Sequence, residues 1–164
     1  MSRPEWSRYF MSLAHLSAER STCTRRQVGA VATKDNRVLS TGYNGAPRGV
    51  IHCSKTGCLR DALGIKSGDR HDVCRGVHAE QNVIASAASY GVSISGSVLY
   101  VTHKPCNICL KMLINAGVRA VVYDFDYKDT QANLLLQQSN IMCIPFDEIV
   151  SSEAIKKQLK TVSL

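Results

Sequence analysis

The order of helical and strand-like segments most constrains how this chain can fold. Apolar residues recur at helical spacing over residues 6–19, after Ser2 and Glu5 at the spacing of a capping box. Two β-rich runs, residues 27–33 and 37–42, flank the turn-forming Lys34-Asp35-Asn36 and predict a β-hairpin. The later pattern alternates: helix 77–90, strand 98–102, helix 105–117, strand 120–123, helix 130–139, strand 141–144 and helix 151–160. This order predicts a three-layer α/β/α sandwich whose mixed central sheet begins with the hairpin.

Length and composition bound the class of protein. The chain has 164 residues, of which 45% are hydrophobic and 20% charged, so we expect a single globular domain over residues 1–164. No apolar run approaches the roughly 18 residues of a membrane span. The polar N-terminal residues also lack the apolar core of a signal peptide. We therefore expect a cytoplasmic protein without a membrane partner.

Charge and cysteine content narrow the chemistry. The formal net charge of +7 favours anionic partners. The positive residues are scattered and only 6% of the chain is aromatic, which is little for base stacking, so no nucleic-acid partner is expected. Seven cysteines without a secretory signal indicate metal binding or catalysis rather than a disulfide framework. Among them, Cys143 on a late strand is expected to pack in the core.

Two short motifs carry the chemistry. They are His78-Ala79-Glu80, which opens one predicted helix, and Pro105-Cys106-Asn107-Ile108-Cys109, which opens the next. Cys106 and Cys109 share a helix face because they lie three residues apart, and helix N-termini favour thiolates. With His78 they supply three zinc ligands and leave a fourth tetrahedral position for water, as in catalytic sites. Glu80 can then take the proton of that water and pass it to a substrate.

Each motif alone has an ordinary interpretation, since a C-x-x-C pair is often a structural zinc or redox half-site. Its combination with H-x-E upstream matches the signature of zinc deaminases. On these residues the chain resembles the cytidine and deoxycytidylate deaminase superfamily, and within it the deoxycytidylate (dCMP) deaminases. The resemblance covers nearly the whole chain, including Q-V-G-A at residues 27–30, G-Y-N-G-A-P at residues 42–47, and Tyr127. The G-Y-N-G stretch favours dCMP deaminases over tRNA adenosine or free-base deaminases.

The resemblance implies a cytidine deaminase-like fold and a zinc enzyme that hydrolyses dCMP to dUMP and ammonia, supplying dUMP for dTMP synthesis. It implies that Glu80 is the catalytic residue. It also implies a homohexamer that dCTP activates and dTTP inhibits. Because glycines flank the turn at residues 42–45, we expect this turn to change conformation when an effector binds nearby.

The resemblance further implies substrate contacts. Asn44 would bind the deoxyribose 3′-hydroxyl, the backbone of Ala79 would bind the pyrimidine oxygen, and Tyr127 would lie against the nucleotide. From the residues alone, Asn44 can equally be a left-handed turn residue, and Tyr127 can simply pack. The phosphate contact stays open among Arg25, Arg26 and Lys104, since charges of this kind also suit solvent-exposed surface.

The stretch over residues 44–76 is too long to be a simple connecting loop, so we expect it to have a function or to be stabilised by a cross-link or metal. Some phage and bacterial dCMP deaminases bind a second, structural zinc with cysteines at the places of Cys23 and Cys53. His71 and Cys74 complete the expected set, because their i, i+3 separation suits one cation, with Cys58 as the reserve. The alternatives are buried free thiols or a disulfide.

Two other functions stay open at the level of sequence. A tRNA or single-stranded nucleic-acid deaminase would use the same zinc core and the positive charge. A non-catalytic, zinc-stabilised binding module would keep the fold, although the presence of Glu80 and of all three ligands argues against it. Free cytidine and dCTP are also open as substrates, because the zinc motif contacts only the base.

Overall fold

A computed structural model describes residues 3–161 and builds them around a mixed β-sheet with helices on both faces. The strands are β1 (Gly29–Lys34), β2 (Arg37–Tyr43), β3 (Val98–His103), β4 (Ala120–Phe125) and β5 (Met142–Pro145). The longer helices are α1 (Trp6–Ala18), α4 (Ala79–Ser89), α5 (Asn107–Asn115), α6 (Thr130–Gln138), α7 (Phe146–Ser151) and α8 (Glu153–Thr161). Two four-residue helices, α2 (Cys53–Thr56) and α3 (Leu59–Ala62), and a 3₁₀ turn at His71–Val73 lie between β2 and α4.

The sheet has the strand order β2-β1-β3-β4-β5. Strand β1 pairs antiparallel with β2 and with β3, whereas β3, β4 and β5 run parallel. Asp35 and Asn36 both adopt positive φ angles, 51° and 59°, as the two central residues of a tight hairpin turn require. The predicted mixed sheet that begins with a hairpin is therefore confirmed.

Alternating residues of the strands face two separate cores, as the two-residue period of a strand dictates. On one face, Ala30, Leu99 and Val121 are fully buried beneath α4, α5 and α6. On the other face, Val31 and Val122 are fully buried against α1, α7 and α8. These two cores make the three layers that the order of elements predicts.

The structure corrects several predicted element boundaries. Helix α1 begins one residue after Glu5, which is itself the N-cap, while Ser2 of the predicted capping box lies outside the described residues. Helix α8 begins two residues later than the terminal helix expected at residues 151–160, because Ser152 adopts an extended backbone with φ −122° and ψ 110°. Helix α7, which ends at Ser151, was not predicted. Among residues 3–161, none of the helices combines the length and the apolar character needed to cross a bilayer.

Candidate active site

The residues of the two short motifs meet where α4 and α5 begin. His78 is the N-cap residue of α4, and its backbone N–H donates to the Gln81 side-chain oxygen at 2.9 Å. Cys106 is the N-cap residue of α5, and Cys109 lies in the first turn of the same helix. Helix N-termini carry unpaired backbone N–H groups and partial positive charge, so both thiols sit where a negative charge is favoured.

His78, Cys106 and Cys109 have the geometry of a cation site. Their donor atoms all lie within 4.8 Å of one another, and within residues 3–161 they are the one group of three or more histidine, cysteine or acidic residues that does so. His78 Nδ1 lies 3.6 Å from Cys106 Sγ and 3.3 Å from Cys109 Sγ. Tetrahedral zinc with ordinary bond lengths separates nitrogen and sulfur ligands by about 3.5 Å. The donor set and the spacing therefore both fit zinc.

The protonation of these three residues is coupled. Hydrogen bonds from Cys109 and His78 lower the pKa of the Cys106 thiol to about 4, against the opposing effect of burial. The same contact with Cys106, together with burial, raises the pKa of Cys109. The hydrogen bond with Cys106 raises the pKa of His78, although burial opposes this. One thiol of the pair is thus already stable as a thiolate ligand.

Glu80 lies two residues beyond His78 and is almost completely buried, with 4% of its surface exposed. Burial raises the pKa of its carboxyl group, while the nearby positive charge of His78 partly offsets the rise. A carboxyl group in such surroundings holds a proton more readily than one in water, which suits it to accept a proton and pass it on.

A cavity of about 110 Å³ lies beside these groups. His78, Glu80 and Cys106 lie in its wall, together with all three residues expected to contact a substrate: Asn44, Ala79 and Tyr127. Ala79 is the first residue of α4, so its N–H makes no hydrogen bond within the helix and is available to an acceptor in the cavity.

Asn44 is held by a hydrogen-bond network rather than by a left-handed turn. Its Oδ1 accepts from Ser21 Oγ at 2.7 Å and from the Val28 N–H at 2.8 Å, and its Nδ2 donates to the Arg26 carbonyl at 2.8 Å. Asn44 is not among the described residues with positive φ, so the alternative turn role is wrong. One amide proton of Asn44 remains for a ligand.

Strand β2 approaches α4 closely beside this network. A Cβ atom at Gly42 would lie 2.4 Å from the Ala79 carbonyl oxygen and 2.7 Å from the Val83 nitrogen. Gly42 has no positive φ, so the glycine is needed for space and not for a special backbone conformation.

The structure separates the three basic residues proposed for phosphate. Arg26 and Lys104 both line the cavity, and the Arg26 guanidinium stacks over the Tyr127 ring at 5.4 Å. Arg25 instead forms an ion pair with Asp61 at 2.6 Å and also donates to the Ile65 carbonyl. Arg25 therefore braces the segment that follows α3.

Three further basic residues line the cavity, although they were not assigned to it from the sequence. Arg60 is 6% exposed, His103 adjoins Lys104, and the His71 ring packs edge-on against the His78 ring with centroids 5.0 Å apart. Burial lowers the pKa of His71, and the positive charges of His78 and Arg60 lower it further. Of the three, only His103 could have been placed near the site from the sequence, because it adjoins Lys104 just before the P-C-x-x-C motif.

The four residues expected to hold a second zinc are not brought together as a set. Cys23, Cys53, His71 and Cys74 contain no three donor atoms within 4.8 Å of one another. The His71 ring instead packs against the His78 ring at the first cation site, with centroids 5.0 Å apart. Burial raises the pKa of Cys53, and the N–H of Ser54 donates to the Thr22 carbonyl at 3.2 Å, so the segments that carry Cys53 and Cys23 are adjacent. The remaining cysteine, Cys143, packs against the core as expected, and burial raises its pKa to about 11.

Comparison with known families gives this site its context. A model of the cytidine and deoxycytidylate deaminase zinc-binding region matches residues 4–125, which include all three candidate ligands and Glu80. The chain belongs to this deaminase family. The family resemblance in the sequence is thereby confirmed.

Individual relatives of this deaminase cover most of its length. ComE operon protein 2 of Bacillus subtilis is 38% identical over 99% of this chain and 84% of its own. The deoxycytidylate deaminase of Mycobacterium phage D29 is 41% identical over 75% of this chain and 97% of its own. The crystal structure of dCMP deaminase from cyanophage S-TIM5 in complex with dCMP and dUMP is 34% identical. It superposes with a TM-score of 0.72, covering 88% of this chain and 99% of that one. These likenesses agree with the cytidine deaminase-like fold.

Proposed function

We propose that this protein is a zinc-dependent hydrolase that converts dCMP to dUMP and ammonia. The observation that carries the proposal is the cluster of His78, Cys106 and Cys109 beside a cavity that the buried Glu80 also lines. The choice of substrate is supported by the phage D29 relative, which is a deoxycytidylate deaminase, and by the S-TIM5 structure, which holds dCMP and dUMP.

The three donors would hold the metal through one imidazole nitrogen and two sulfurs, a set that suits zinc. When bound there, zinc would lower the pKa of a coordinated water toward about 7 and so supply the nucleophile that hydrolysis requires. Three protein ligands leave a coordination position open, as catalytic zinc sites do.

Glu80 would move the protons of the reaction. It accepts a proton from the attacking water and delivers it to N3 of the pyrimidine, which makes C4 more electrophilic. It then takes the remaining proton from the oxygen added at C4 and transfers it to the departing amine, so that water and dCMP become dUMP and ammonia with Glu80 unchanged. Its burial supports this role, because the raised pKa keeps the transferred proton bound between the two steps.

The remaining residues of the cavity would position the nucleotide. The unpaired N–H of Ala79 would donate to the pyrimidine oxygen, and the free amide proton of Asn44 would donate to the 3′-hydroxyl. Tyr127, which also lines the cavity, would lie against the nucleotide.

Steady-state ammonia release on a panel of substrates tests the function. The panel contains dCMP, dCTP, cytidine and a tRNA anticodon stem-loop, and we expect the highest kcat/KM with dCMP. Deamination of the stem-loop with no reaction of dCMP would overturn the proposal in favour of an RNA substrate.

The second part of the proposal is a structural zinc on Cys23, Cys53, Cys58 and Cys74. The hydrogen bond from the Ser54 N–H to the Thr22 carbonyl supports it by joining the segments of Cys53 and Cys23, although the four sulfurs would have to draw together to bind one ion. Such a site would tie the stretch between β2 and α4 to the segment before β1.

Zinc analysis of purified protein tests this second site. We expect two zinc ions per chain in the wild type and one in Cys58→Ser, with no loss of the second ion in the matched variant Cys143→Ser. One zinc per wild-type chain would contradict the second site and leave the catalytic proposal untouched.

A further inference from the structure

Arg60 is a buried cation in the wall of the candidate active site. It lies in α3, within the long stretch between β2 and α4, and is 6% exposed. It lines the same cavity as Glu80, Asn44 and Tyr127. Arginine is rarely buried to this extent unless an anion or a set of acceptors accompanies it.

The hydrogen bonds of Arg60 within the protein are incomplete. One terminal nitrogen donates to the Lys66 carbonyl at 2.9 Å, while Nε is buried and has no partner in the part of the chain that the structure describes. Among the ion pairs of residues 3–161, none involves Arg60. An unpaired buried charge is costly, so an anionic ligand in the cavity would relieve the energetic penalty.

Two further basic side chains lie in the same cavity wall as Arg60. Arg26 and Lys104 line the cavity as well, and Lys104 forms a 3.4 Å ion pair with the exposed Asp126 and lies over the Tyr123 ring at 5.4 Å. Glycine at position 68 also lines the cavity, where a Cβ atom would lie 2.8 Å from the Tyr127 hydroxyl. Because the main chain of Gly68 comes this close to the Tyr127 hydroxyl, main-chain atoms as well as side chains form the wall of the cavity.

The carboxylate of Glu80 fixes the direction in which an anionic ligand can lie. A phosphate beside Glu80 would be repelled by it, whereas Arg60 offers a fork of N–H donors that matches phosphate oxygens. A nucleotide therefore fits with its base at Glu80 and its phosphate toward the basic wall.

We propose that Arg60 binds the 5′-phosphate of the nucleotide and sets the preference for a nucleoside monophosphate over the free nucleoside. The inference rests on the proposed function for its choice of ligand. It differs from the sequence expectation, in which Arg25, Arg26 and Lys104 were the candidates. The enclosed position of Arg60 distinguishes it from an exposed arginine, which would add little binding energy in water.

Calorimetric binding of the product pair tests the inference without relying on turnover. Zinc-loaded wild type, Arg60→Gln and Arg60→Lys are titrated with dUMP and with deoxyuridine, which differ only by the phosphate. We expect the preference of the wild type for dUMP to fall by roughly 10- to 100-fold in Arg60→Gln, with deoxyuridine affinity unchanged. Arg60→Lys keeps the charge but loses the fork, so its preference should lie between the two.

A matched control separates phosphate binding from general charge. Arg70→Gln removes the same charge from an exposed residue of the same stretch, whose partner is Asp72, and should leave the preference unchanged. Equal losses for dUMP and deoxyuridine in Arg60→Gln would indicate a purely structural role and overturn the inference. Wild-type preference in a folded Arg60→Gln or, where that variant does not fold, in Arg60→Lys would overturn it too. Neither result would contradict the proposed deamination. That proposal fails if the wild-type enzyme releases no ammonia from dCMP.

Discussion

At the scale of single residues, Asn44 combines a structural role with a proposed substrate contact. Its oxygen and one of its amide protons join the Ser21 side chain to the backbone of Val28 and Arg26. This network fixes the chain just before β1, beside the candidate active site. The second amide proton is then oriented by the first three bonds rather than by the ligand.

Asn44→Ala should therefore affect both stability and substrate choice. Loss of the network leaves backbone groups without partners, and we expect a decrease of about 2 kcal/mol in the free energy of unfolding, measured with urea. The wild type should also prefer dCMP over the analogue without a 3′-hydroxyl, and the variant should lose that preference. An unchanged urea midpoint would contradict the structural role, and an unchanged preference would contradict the contact with the 3′-hydroxyl.

Tyr123 makes the stability of the protein depend on pH in the alkaline range. Its side chain is buried, and burial raises its pKa to about 12 from an ordinary value of 10. Between these two values the unfolded chain loses the phenolic proton while the folded protein keeps it, so stability falls as the pH rises. We expect the urea midpoint of wild type to fall more steeply above pH 10 than that of Tyr123→Phe. Parallel curves for the two proteins would show that Tyr123 does not contribute.

The sequence located some site residues and missed others for physical reasons. His78, Glu80, Cys106 and Cys109 were predictable because metal ligation demands particular side chains at particular spacings. Arg60 had no such signal, since its neighbours resemble an ordinary exposed helix. His71 has an i, i+3 partner in Cys74, and only the folded backbone reveals that the ring contacts His78 instead.

At the scale of elements, the contact between β2 and α4 positions the candidate ligands. Gly42 allows the start of α4 to lie directly on the strand, with the Ala79 carbonyl and the Val83 nitrogen closest to it. His78 and Glu80 occupy this same end of the helix. The spacing between the two elements therefore sets where both side chains lie.

Gly42→Ala should push the two elements apart. Its Cβ would meet backbone atoms that cannot rotate away, so we expect a loss of about 1–3 kcal/mol in stability and weaker zinc retention during dialysis against a chelator. Gly45→Ala is the matched control, because the closest atom to its Cβ would be the Thr22 side-chain oxygen at 2.9 Å, while the nearest backbone atom would lie at 3.8 Å. Equal zinc retention in both variants and the wild type would contradict the positioning role of Gly42.

Element type was more predictable than element boundaries. The hairpin and the later strands follow from alternating burial and turn residues, which act locally. The division between α7 and α8 depends on the extended backbone of Ser152, and no proline or glycine marks it. Helices α2 and α3 lie in a stretch whose apolar pattern has no helical period, because each has only four residues.

At the scale of the whole molecule, assembly and regulation remain proposals taken from the family resemblance. We expect a homohexamer in solution, sigmoidal dCMP kinetics, a change to hyperbolic kinetics with dCTP, and inhibition by dTTP. Light scattering and initial rates measure these properties. A monomer with hyperbolic kinetics indifferent to both nucleotides would remove the regulatory proposal without affecting the catalytic one.

The central claim is that Glu80 transfers protons at a zinc site to deaminate dCMP. The most direct measurement is the rate of dUMP formation by Glu80→Gln, made on protein whose zinc content equals that of the wild type. Glutamine keeps the size of the buried side chain but cannot accept the proton, so we predict a decrease in kcat of at least about 1000-fold. A zinc-loaded Glu80→Gln protein that converts dCMP at the wild-type rate would contradict the account.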